Sequence, residues 1–363
     1  MKQLFQPILL GKTELKNRIV FAPTSVGREG IDFYEQIAKG ETGLIILPDV
    51  SVVPSMLGAP SLDSMKFAEY FKKVIDVCGK YGCKVAPQLF HPEYDLAYIG
   101  AMYRQRDKAV SSDEVHRLLE ENMLGYCDSL TTEQADEIIE KFVAAAKNAV
   151  EVGFEMIQIH GDRLIGSFSS ALFNHRSDKY AQHTAFAAEV VRAVRKAVGK
   201  DVTIDYKLTI RTEQPKLGCG GALYEEVPEF VSVLEAAGVD SFHIAIANHS
   251  NIRDTIPAAN HPDLQGEGCF VHLGKKVLET ATKPVCIVGK IQHASYAEQM
   301  LDEGFACVGL SRQLIADPYW ALKVMQEKEE EIRYCIYCNS KCVKSIMTGA
   351  PVSCVLWEKN TNE

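Results

Sequence analysis

Eight short runs of apolar and β-branched residues recur at wide spacing along the chain, and this pattern limits the possible folds more than any other feature. The runs cover residues 18–22, 43–47, 84–89, 156–160, 202–208, 241–247, 284–289 and 306–310. Most intervals carry an amphipathic helical pattern, at 63–81, 133–152, 181–198, 224–237, 271–280 and 295–303. Alternating strands and helices favour parallel strands joined by right-handed crossovers, and eight such strands can close a barrel. We therefore predict the α/β class and a (β/α)8 TIM barrel over residues 1–330.

Length and charge narrow the possible functions of such a barrel. The chain has 363 residues, which is enough for a barrel with insertions. Its formal net charge of -9 argues against nucleic acid as the principal partner, because phosphate binding requires a basic surface. The N-terminal residues lack the pattern of a secretory signal. The most apolar run, 43–53, contains Pro48 and Asp49 and is too short to span a bilayer, so we expect a cytoplasmic protein.

Polar residues follow the predicted strands on the side where a βα barrel carries its active site. They are Pro23, Thr24, Gln88, His91, His160, Asp162, Arg163, Lys207, Asn248, His249, Lys290, Ser311 and Arg312. Gln88 and Lys207 lie within or at the end of apolar strands, where an amide or an ammonium needs a partner. The segment 92–131 is predicted to be a long irregular insertion, of the kind that often forms a lid or a binding loop. Its cations are either substrate ligands or ordinary surface charges: Arg104, Arg106 and Lys108.

Four of the 11 cysteines lie close together near the end of the chain, in a segment that we assign to 331–363. They are Cys335, Cys338, Cys342 and Cys354, with the spacing C-x2-C-x3-C-x11-C. This staggered spacing is typical of loops that hold a [4Fe–4S] cluster, whereas structural zinc sites more often pair two C-x2-C knuckles. We predict a [4Fe–4S] segment, with zinc as the alternative, and buried apolar positions for the other cysteines. A one-electron cluster implies a second redox group, and flavin is the obvious one.

Five stretches of the chain resemble, in order, the Old Yellow Enzyme family of FMN-binding barrels. They are 17–24 (NRIVFAPT), 87–91 (PQLFH), 159–161 (IHG), 174–180 (NHRSDKY) and 308–318 (VGLSRQLIADP). The C-terminal cysteines are similar to those of the family's 2,4-dienoyl-CoA reductase and trimethylamine dehydrogenase branch. The resemblance implies an FMN-dependent oxidoreductase.

The same resemblance implies roles for the residues at matching positions. Pro23 and Thr24 line the flavin ring, and Gln88 hydrogen-bonds its pyrimidine edge. Lys207 lies near N1 and the C2 carbonyl of the flavin, where a cation stabilises the anionic reduced form. The alternative for Lys207 is a lysine that extends from a strand end to solvent. The family's phosphate-binding turns match Gly289, Gly309, Ser311 and Arg312, with Ser311 in place of the usual glycine.

The catalytic region departs from the family pattern. Residues 159–164 read Ile-His-Gly-Asp-Arg-Leu, two residues shorter than the family's Ile-His-Gly-Ala-His-Gly-Tyr-Leu. The His-Gly-Asp-Arg sequence resembles the bilirubin reductases of gut anaerobes, an Old Yellow Enzyme-like group, and implies reduction of bilirubin to urobilinogen. We expect His160, Asp162 and Arg163 to act on substrate, with Arg163 binding a propionate or a lactam carbonyl and Asp162 supplying a proton. The alternative is an ion pair that only shapes the loop.

Two other functions fit the sequence: reduction of other activated alkenes of the enoate or dienoyl-CoA type, and a non-catalytic electron-transfer subunit with flavin and an iron–sulfur cluster. The chain contains no G-x-G-x-x-G dinucleotide fingerprint. We therefore expect electrons to arrive from a separate donor protein through the cluster, or from NAD(P)H directly to FMN.

Overall fold

The computed structural model describes residues 2–27, 30–55, 59–105, 112–247 and 252–360. Eight parallel strands form a closed barrel, in which each strand hydrogen-bonds to the next and the last pairs with the first. The strands are β1 (Ile19–Phe21), β2 (Leu44–Ser51), β3 (Lys84–Phe90), β4 (Met156–His160), β5 (Thr203–Glu213), β6 (Ser241–Ile246), β7 (Val285–Ile287) and β8 (Cys307–Leu310). The predicted TIM barrel is confirmed, and each predicted strand has its counterpart.

Helices follow the strands around the barrel. Within the described ranges they are α1 (Ile31–Lys39), α2 (Ala68–Gly79), α3 (Leu96–Gln105), α4 (Ser112–Ser129), α5 (Thr132–Val152), α6 (Arg163–Phe168), α7 (Ala185–Val198), α8 (Val227–Ala237), α9 (Ile252–Thr255), α10 (Val271–Leu278), α11 (Ala294–Asp302), α12 (Arg312–Ala316), α13 (Trp320–Met325) and α14 (Lys341–Thr348). None of these helices is both long and apolar enough to cross a lipid bilayer.

Helix α5 illustrates how local sequence determines an element. Thr131 and Gln134 form a capping box that satisfies amide groups at its start, and Gly153, with φ 115°, ends it in the left-handed conformation. Phe142 and Ala146 lie on its fully buried face. Burial of that face supplies most of the stability of such a helix, because propensity alone is marginal in water.

An antiparallel hairpin of Ile8–Leu10 and Thr13–Leu15 lies across the amino-terminal end of the barrel. Its Leu10 and Leu15 pack with inward-facing apolar residues of the strands, including Ile46 and Met156. This end is therefore closed by apolar packing. The opposite end, where the carboxyl ends of the strands meet, is left for a site.

The structure corrects the sequence interpretation in two places. The segment 92–131 is not irregular, because it contains α3 and α4, with Met123 and Cys127 buried. Helix α1 has no counterpart among the predicted helices. Of the cysteines expected in buried positions, Cys78, Cys83, Cys127, Cys286 and Cys307 are buried, whereas Cys219 and Cys269 are only partly buried.

The C-terminal segment packs against the open end of the barrel. The Val352 amide donates to the Val26 carbonyl, and the Ala259 amide donates to the Tyr337 carbonyl, each at 3.0 Å. The indole of Trp357 donates to the carbonyl of Ile315 in α12 at 3.1 Å. The cysteine-rich segment thus lies beside the loops that follow β1, β6 and β8.

Candidate active site

A cleft opens at the carboxyl ends of the strands and holds about 1250 Å³ of empty space, its mouth included. Every residue that the sequence assigns to the flavin or to catalysis lines this cleft. These residues are Pro23, Thr24, Gln88, His160, Asp162, Arg163, Lys207, Gly289, Gly309, Ser311 and Arg312. The cleft lies where a βα barrel is expected to carry its active site.

Two basic side chains lie on the inner wall of the cleft, because Lys207 of β5 and His243 of β6 are paired in register. Burial lowers the pKa of Lys207, against the opposing effect of Asp49 and Asp162, and its ammonium has no hydrogen-bond partner within the described ranges. Burial lowers the pKa of His243 to about 3, and nearby Lys207 adds to the shift. The wall therefore offers the side-chain nitrogen of a lysine and a neutral imidazole to a bound group.

Gly289 and Gly309 occupy positions where the backbone passes close to its neighbours. A Cβ on Gly289 would lie 2.8 Å from the amide nitrogen of Phe270, and one on Gly309 would lie 2.6 Å from Cγ1 of Val288. Neither position has room for a larger residue without movement of its neighbour. The backbone therefore forms this part of the cleft wall directly.

Arg312 follows β8 and is buried at the edge of the cleft. Its guanidinium stacks on the Tyr337 ring, 4.8 Å from the centroid, and Nη1 donates to the Pro257 carbonyl (2.9 Å) and to Oδ1 of Asn339 (2.7 Å). Nη2 has no hydrogen-bond partner among the described residues. Beside it, the hydroxyls of Ser311 and Thr24 hydrogen-bond at 2.6 Å and join the last strand to the first. This corner presents a fixed cation to an anionic group.

The His-Gly-Asp-Arg residues begin where β4 ends. The Asp162 amide donates to Nδ1 of His160 at 3.3 Å, so Nε2 of the neutral ring carries the proton. Nε2 lies 3.6 Å from Oδ1 of Asp49. His160 and Asp162 are both buried, whereas the Asp49 side chain is 44% exposed and faces the cleft.

Arg163 is held between two carboxylates. Nη1 lies 3.2 Å from Oε1 of Glu93, and Nη2 lies 3.3 Å from Oδ2 of Asp49. Burial acts to lower the pKa of Arg163, but the charges of Asp49, Glu93 and Asp162 raise it above its usual value. Arg163 is therefore a permanently charged group and no proton donor at neutral pH. Its buried Nε has no hydrogen-bond partner within the described ranges.

Four non-glycine residues of the cleft have backbones in the left-handed region: Asp49 (φ 44°), Arg163 (φ 58°), Lys290 (φ 56°) and Tyr337 (φ 51°). Such conformations cost of order 1–3 kcal/mol each and persist where the surrounding structure holds them, often at functional sites. Asp49 lies at an irregularity in the pairing of β2 with β3, between Leu47 and Val50. Because the strand is irregular at this point, the side chain of Asp49 reaches Arg163.

Sequence reasoning missed Asp49, Glu93 and His243. Asp49 is a charge within the most apolar run of the chain, and His243 is a polar residue inside an apolar strand, as Lys207 is. The same criterion that singles out Lys207 could have found both. Glu93 carries no such signal, because its role depends on the fold bringing it to a partner 70 residues along the chain.

The four C-terminal cysteines line one small cavity next to the cleft. Arg312 and Tyr337 line both spaces. The Tyr337 amide donates to Sγ of Cys335 at 3.4 Å, and burial raises the pKa of that thiol to about 11. Tyr337 and Asn339 have φ values of 51° and 50°, so the loop wraps tightly around the cavity. No three His, Cys, Asp or Glu side chains in the described ranges converge closely enough for a single metal ion.

Among the other predicted residues, some do not line the cleft and some lie outside the described ranges. His91 is buried, and its Nδ1 hydrogen-bonds the Pro92 carbonyl at 2.8 Å, while burial lowers its pKa to about 4. Its own carbonyl accepts from the Leu164 amide, so His91 anchors the start of α6. Asn248, His249, Arg106 and Lys108 lie outside the described residues, as does the side chain of Arg104.

Comparison with known proteins finds relatives that match nearly the whole chain. The chain is 38% identical over 370 residues to a bilirubin reductase of Clostridium symbiosum (strain WAL-14163), covering 99% of this chain and 98% of that protein. It is 36% identical over 377 residues to a bilirubin reductase of Mediterraneibacter gnavus (strain CC55_001C), covering 99% of this chain and 57% of that protein, so it spans little more than half of this longer relative.

Structural comparison supports the same fold. A 2-naphthoyl-CoA reductase bound to 2-naphthoyl-CoA superposes with a TM-score of 0.79 at 22% identity, covering 98% of this chain and 56% of that one. The model of the NADH:flavin oxidoreductase / NADH oxidase family matches residues 3–331. The resemblance predicted from the sequence is confirmed, and the chain belongs to the NADH:flavin oxidoreductase / NADH oxidase family.

Proposed function

We propose that the chain is an FMN-dependent reductase of carbon–carbon double bonds that reduces bilirubin to urobilinogen-type products. The observation that carries the proposal is that His160, Asp162 and Arg163 of the His-Gly-Asp-Arg sequence line the same cleft as the residues assigned to the flavin. Similarity to bilirubin reductases along nearly the whole chain supports the choice of substrate. Bilirubin is long, partly apolar and carries two propionates, so it requires a wide cleft that contains cations.

The residues of the cleft fit FMN. Lys207 lines the cleft, and its side-chain nitrogen has no hydrogen-bond partner among the described residues. It suits the pyrimidine side of a flavin, where negative charge develops on reduction. Gln88 offers an amide for the pyrimidine edge, and Pro23 and Thr24 would line the ring. Gly289, Gly309, Ser311 and Arg312 suit the phosphate, with backbone close to the cleft and one guanidinium nitrogen available. FMN, when bound and reduced, supplies hydride.

The motif residues would bind and protonate the substrate. Arg163 is oriented by Asp49 and Glu93, and its remaining N–H groups can bind a propionate or polarise a lactam carbonyl. Asp162 would hold the proton and deliver it, directly or through water, to the carbon next to the one that accepts hydride. His160 would contact the substrate through its Nε2–H. The competing interpretation, an ion pair that only shapes the loop, predicts that Arg163→Ala leaves turnover unchanged.

We propose that Cys335, Cys338, Cys342 and Cys354 hold a [4Fe–4S] cluster in the cavity that they line. An amide donating to Cys335 is typical of cluster loops, where such hydrogen bonds tune the reduction potential. The cluster would receive electrons from a separate donor protein, with NAD(P)H as the direct alternative. All 11 cysteines are free thiols, which favours a reducing compartment, and we propose a cytoplasmic location.

The proposed activity is tested without oxygen. The protein is reconstituted with iron, sulfide and FMN, reduced, freed of excess reductant and mixed with bilirubin, and products are followed by chromatography. A parallel sample receives a simple enoate. We expect urobilinogen-type product from bilirubin, lost in Arg163→Ala. Consumption of the enoate alone would instead indicate reduction of other activated alkenes. Oxidation by redox proteins but by neither alkene would indicate an electron-transfer subunit.

The cluster is tested separately by its iron content. Cys338→Ser should lose iron and sulfide and the visible absorption of a cluster while keeping FMN. Cys269→Ser is the matched control, because Cys269 lies outside the cavity, and it should keep both. Two results are typical of zinc and would contradict the cluster: a chain that retains a single metal ion, and no change of visible absorption in Cys338→Ser.

A further inference from the structure

Four buried polar side chains form a row across four neighbouring strands beneath the cleft. Gln88 of β3 is in register with Gln158 of β4, Gln158 with Asp205 of β5, and Asp205 with Ser241 of β6. Each is at most 2% exposed. Hydrogen bonds join them in sequence: Gln88 Nε2 to Gln158 Oε1 (2.5 Å), Gln158 Nε2 to Asp205 Oδ2 (2.6 Å), and Ser241 Oγ to Asp205 Oδ1 (2.5 Å).

The carboxylate of Asp205 determines the direction of every bond in this row. An ionised carboxylate only accepts hydrogen bonds, so Gln158 must turn its NH2 group toward Asp205 and its oxygen toward Gln88. Gln88 must then donate its NH2 group to Gln158. Its oxygen is left facing the opposite way, where it accepts from the amide of Asp49 at 3.3 Å.

Only Gln88 of the four lines the cleft. Its second amide hydrogen and a lone pair of its oxygen remain for a bound group, which gives one donor and one acceptor in a fixed order. That pair complements an imide edge, in which an N–H group lies beside a carbonyl oxygen, as in the pyrimidine ring of a flavin. A reversed amide would set its NH2 group against the donating amide of Asp49.

We propose that Asp205 is a positioning residue for the flavin, which through Gln158 holds the Gln88 amide in the one orientation that pairs with the pyrimidine edge. The inference rests on the proposed FMN site. It gives a function to a buried carboxylate that has no salt bridge within the described ranges and takes no part in the proposed reduction. A buried carboxylate without a cation is costly, and its retention needs a reason of this kind.

The protonation of Asp205 is consistent with this role at neutral pH. Burial raises the pKa of Asp205 to about 6, against the hydrogen bonds from Gln158 and Ser241, which lower it, while the charge of Asp240 raises it further. The carboxyl is therefore ionised, and acceptor-only, at pH 7 and above. The thiols of Cys286 and Cys307 face the same interior and stay neutral, because burial raises the pKa of each.

FMN affinity of the flavin-free full chain tests the proposal, measured by quenching of FMN fluorescence. Asp205→Leu removes the acceptor and should weaken FMN binding at least tenfold. A merely structural role predicts a different result: Gln158 and Ser241 lose their acceptor and the fold loses stability, but the FMN affinity of the folded chain stays the same. Gln158→Leu removes the hydrogen bonds of Gln158 to Gln88 and Asp205 and should weaken FMN binding to the same extent. It tests the proposal whether or not Asp205→Leu folds.

Conservative variants are the controls. In Asp205→Asn the side-chain oxygen still accepts a hydrogen bond from Gln158, and the Ser241 hydroxyl turns to accept one from the new NH2 group. Ser241→Ala removes one hydrogen bond to Asp205 but leaves the direction of the others unchanged. Both should bind FMN within about threefold of the original. In a Gln88→Leu background, Asp205→Leu should cause no further loss, because the effect acts through Gln88. The midpoint potential of the bound flavin should shift in Asp205→Leu and remain unchanged in Ser241→Ala.

Unchanged affinity in both leucine variants would overturn the proposal, and so would a loss in Asp205→Asn as large as in Asp205→Leu. The test is independent of the substrate. Failure of the original chain to bind FMN would remove the proposed cofactor and this inference together. If FMN affinity changes in the variants as expected but bilirubin is not reduced, only the proposed substrate is wrong.

Discussion

Arg163 is the residue whose surroundings define the site most sharply. It has a left-handed backbone, two carboxylate partners and a buried Nε, and it lies at the first turn of α6. Glu93 is the buried partner and Asp49 the exposed one, with side chains 7% and 44% exposed. A charged hydrogen bond to a buried group contributes about 1.5–3 kcal/mol, so Glu93 is the stronger constraint on where the guanidinium points.

Glu93→Gln should therefore lower kcat/KM for bilirubin about tenfold, which corresponds to about 1.4 kcal/mol of transition-state stabilisation. FMN affinity should not change, because Glu93 does not line the flavin part of the cleft. Glu114→Gln is the control: it breaks an exposed ion pair with Arg117 on α4 and should leave kcat/KM unchanged. An equal loss of activity in both variants would show that the effect does not come from Arg163.

Asp205 makes a pH prediction that needs no cofactor. Its pKa is about 6 in the folded chain, whereas an unfolded Asp titrates near pH 3.9. Because the folded pKa is raised, the folded state holds the proton more tightly, and stability is lost as pH rises from about 4 through 6. Asp205→Leu does not titrate. Its stability relative to the original chain should rise by up to about 3 kcal/mol between pH 4 and pH 7 in urea unfolding. A difference independent of pH would refute the raised pKa.

At the scale of elements, α5 makes the simplest prediction about stability. The Thr131 hydroxyl oxygen accepts a hydrogen bond from the Gln134 backbone amide at 3.2 Å, and the Gln134 side-chain oxygen accepts one from the Thr131 backbone amide at 2.8 Å. Thr131→Ala should cost about 1 kcal/mol of unfolding free energy, measured by chemical denaturation. Thr131→Ser keeps the accepting oxygen and should cost little. Equal losses would show that the methyl group, not the cap, is responsible.

The sequence predicts the barrel strands well because each is a mostly apolar and β-branched run that is largely buried on both faces, a pattern that does not depend on distant partners. It fails for α1, which is short and begins after Gly30 without a side-chain cap. It also fails for α3 and α4, whose Gly100 and Gly125 lower helix propensity, while burial of Met123 supports α4 in the folded chain.

The candidate site shows the same division. Many residues with a local signal were found: an amide or a cation in an apolar strand, glycines at strand ends, and cysteines at cluster spacing. Asp49 and His243 carry a similar signal and were missed. Glu93 was not found, because its importance exists only through its contact with Arg163. The row from Gln88 to Ser241 was also missed, since it follows from strand register, which the sequence does not give.

At the scale of the whole molecule, the cleft and the cavity lined by the C-terminal cysteines share a wall. Arg312, which follows the last strand, is held by Asn339 and stacked on Tyr337, both from the loop that carries the cysteines. Tyr337 in turn donates its hydroxyl to the Lys290 carbonyl after β7. Order in the cysteine loop and order at the proposed phosphate corner are therefore coupled, and the coupling must act equally in both directions.

Asn339→Ala tests this coupling because Asn339 lies in the cysteine loop and does not line the flavin cleft. Loss of its bond to Arg312 should weaken FMN binding severalfold, and FMN should in turn protect the cluster of the original chain, but not of the variant, against chelators. Asn148→Ala is the control: it removes a comparable bond to the Leu62 carbonyl (2.8 Å) far from either space and should change neither property. If FMN affinity is unchanged in Asn339→Ala, the cysteine loop and the flavin cleft are independent units that only share a boundary.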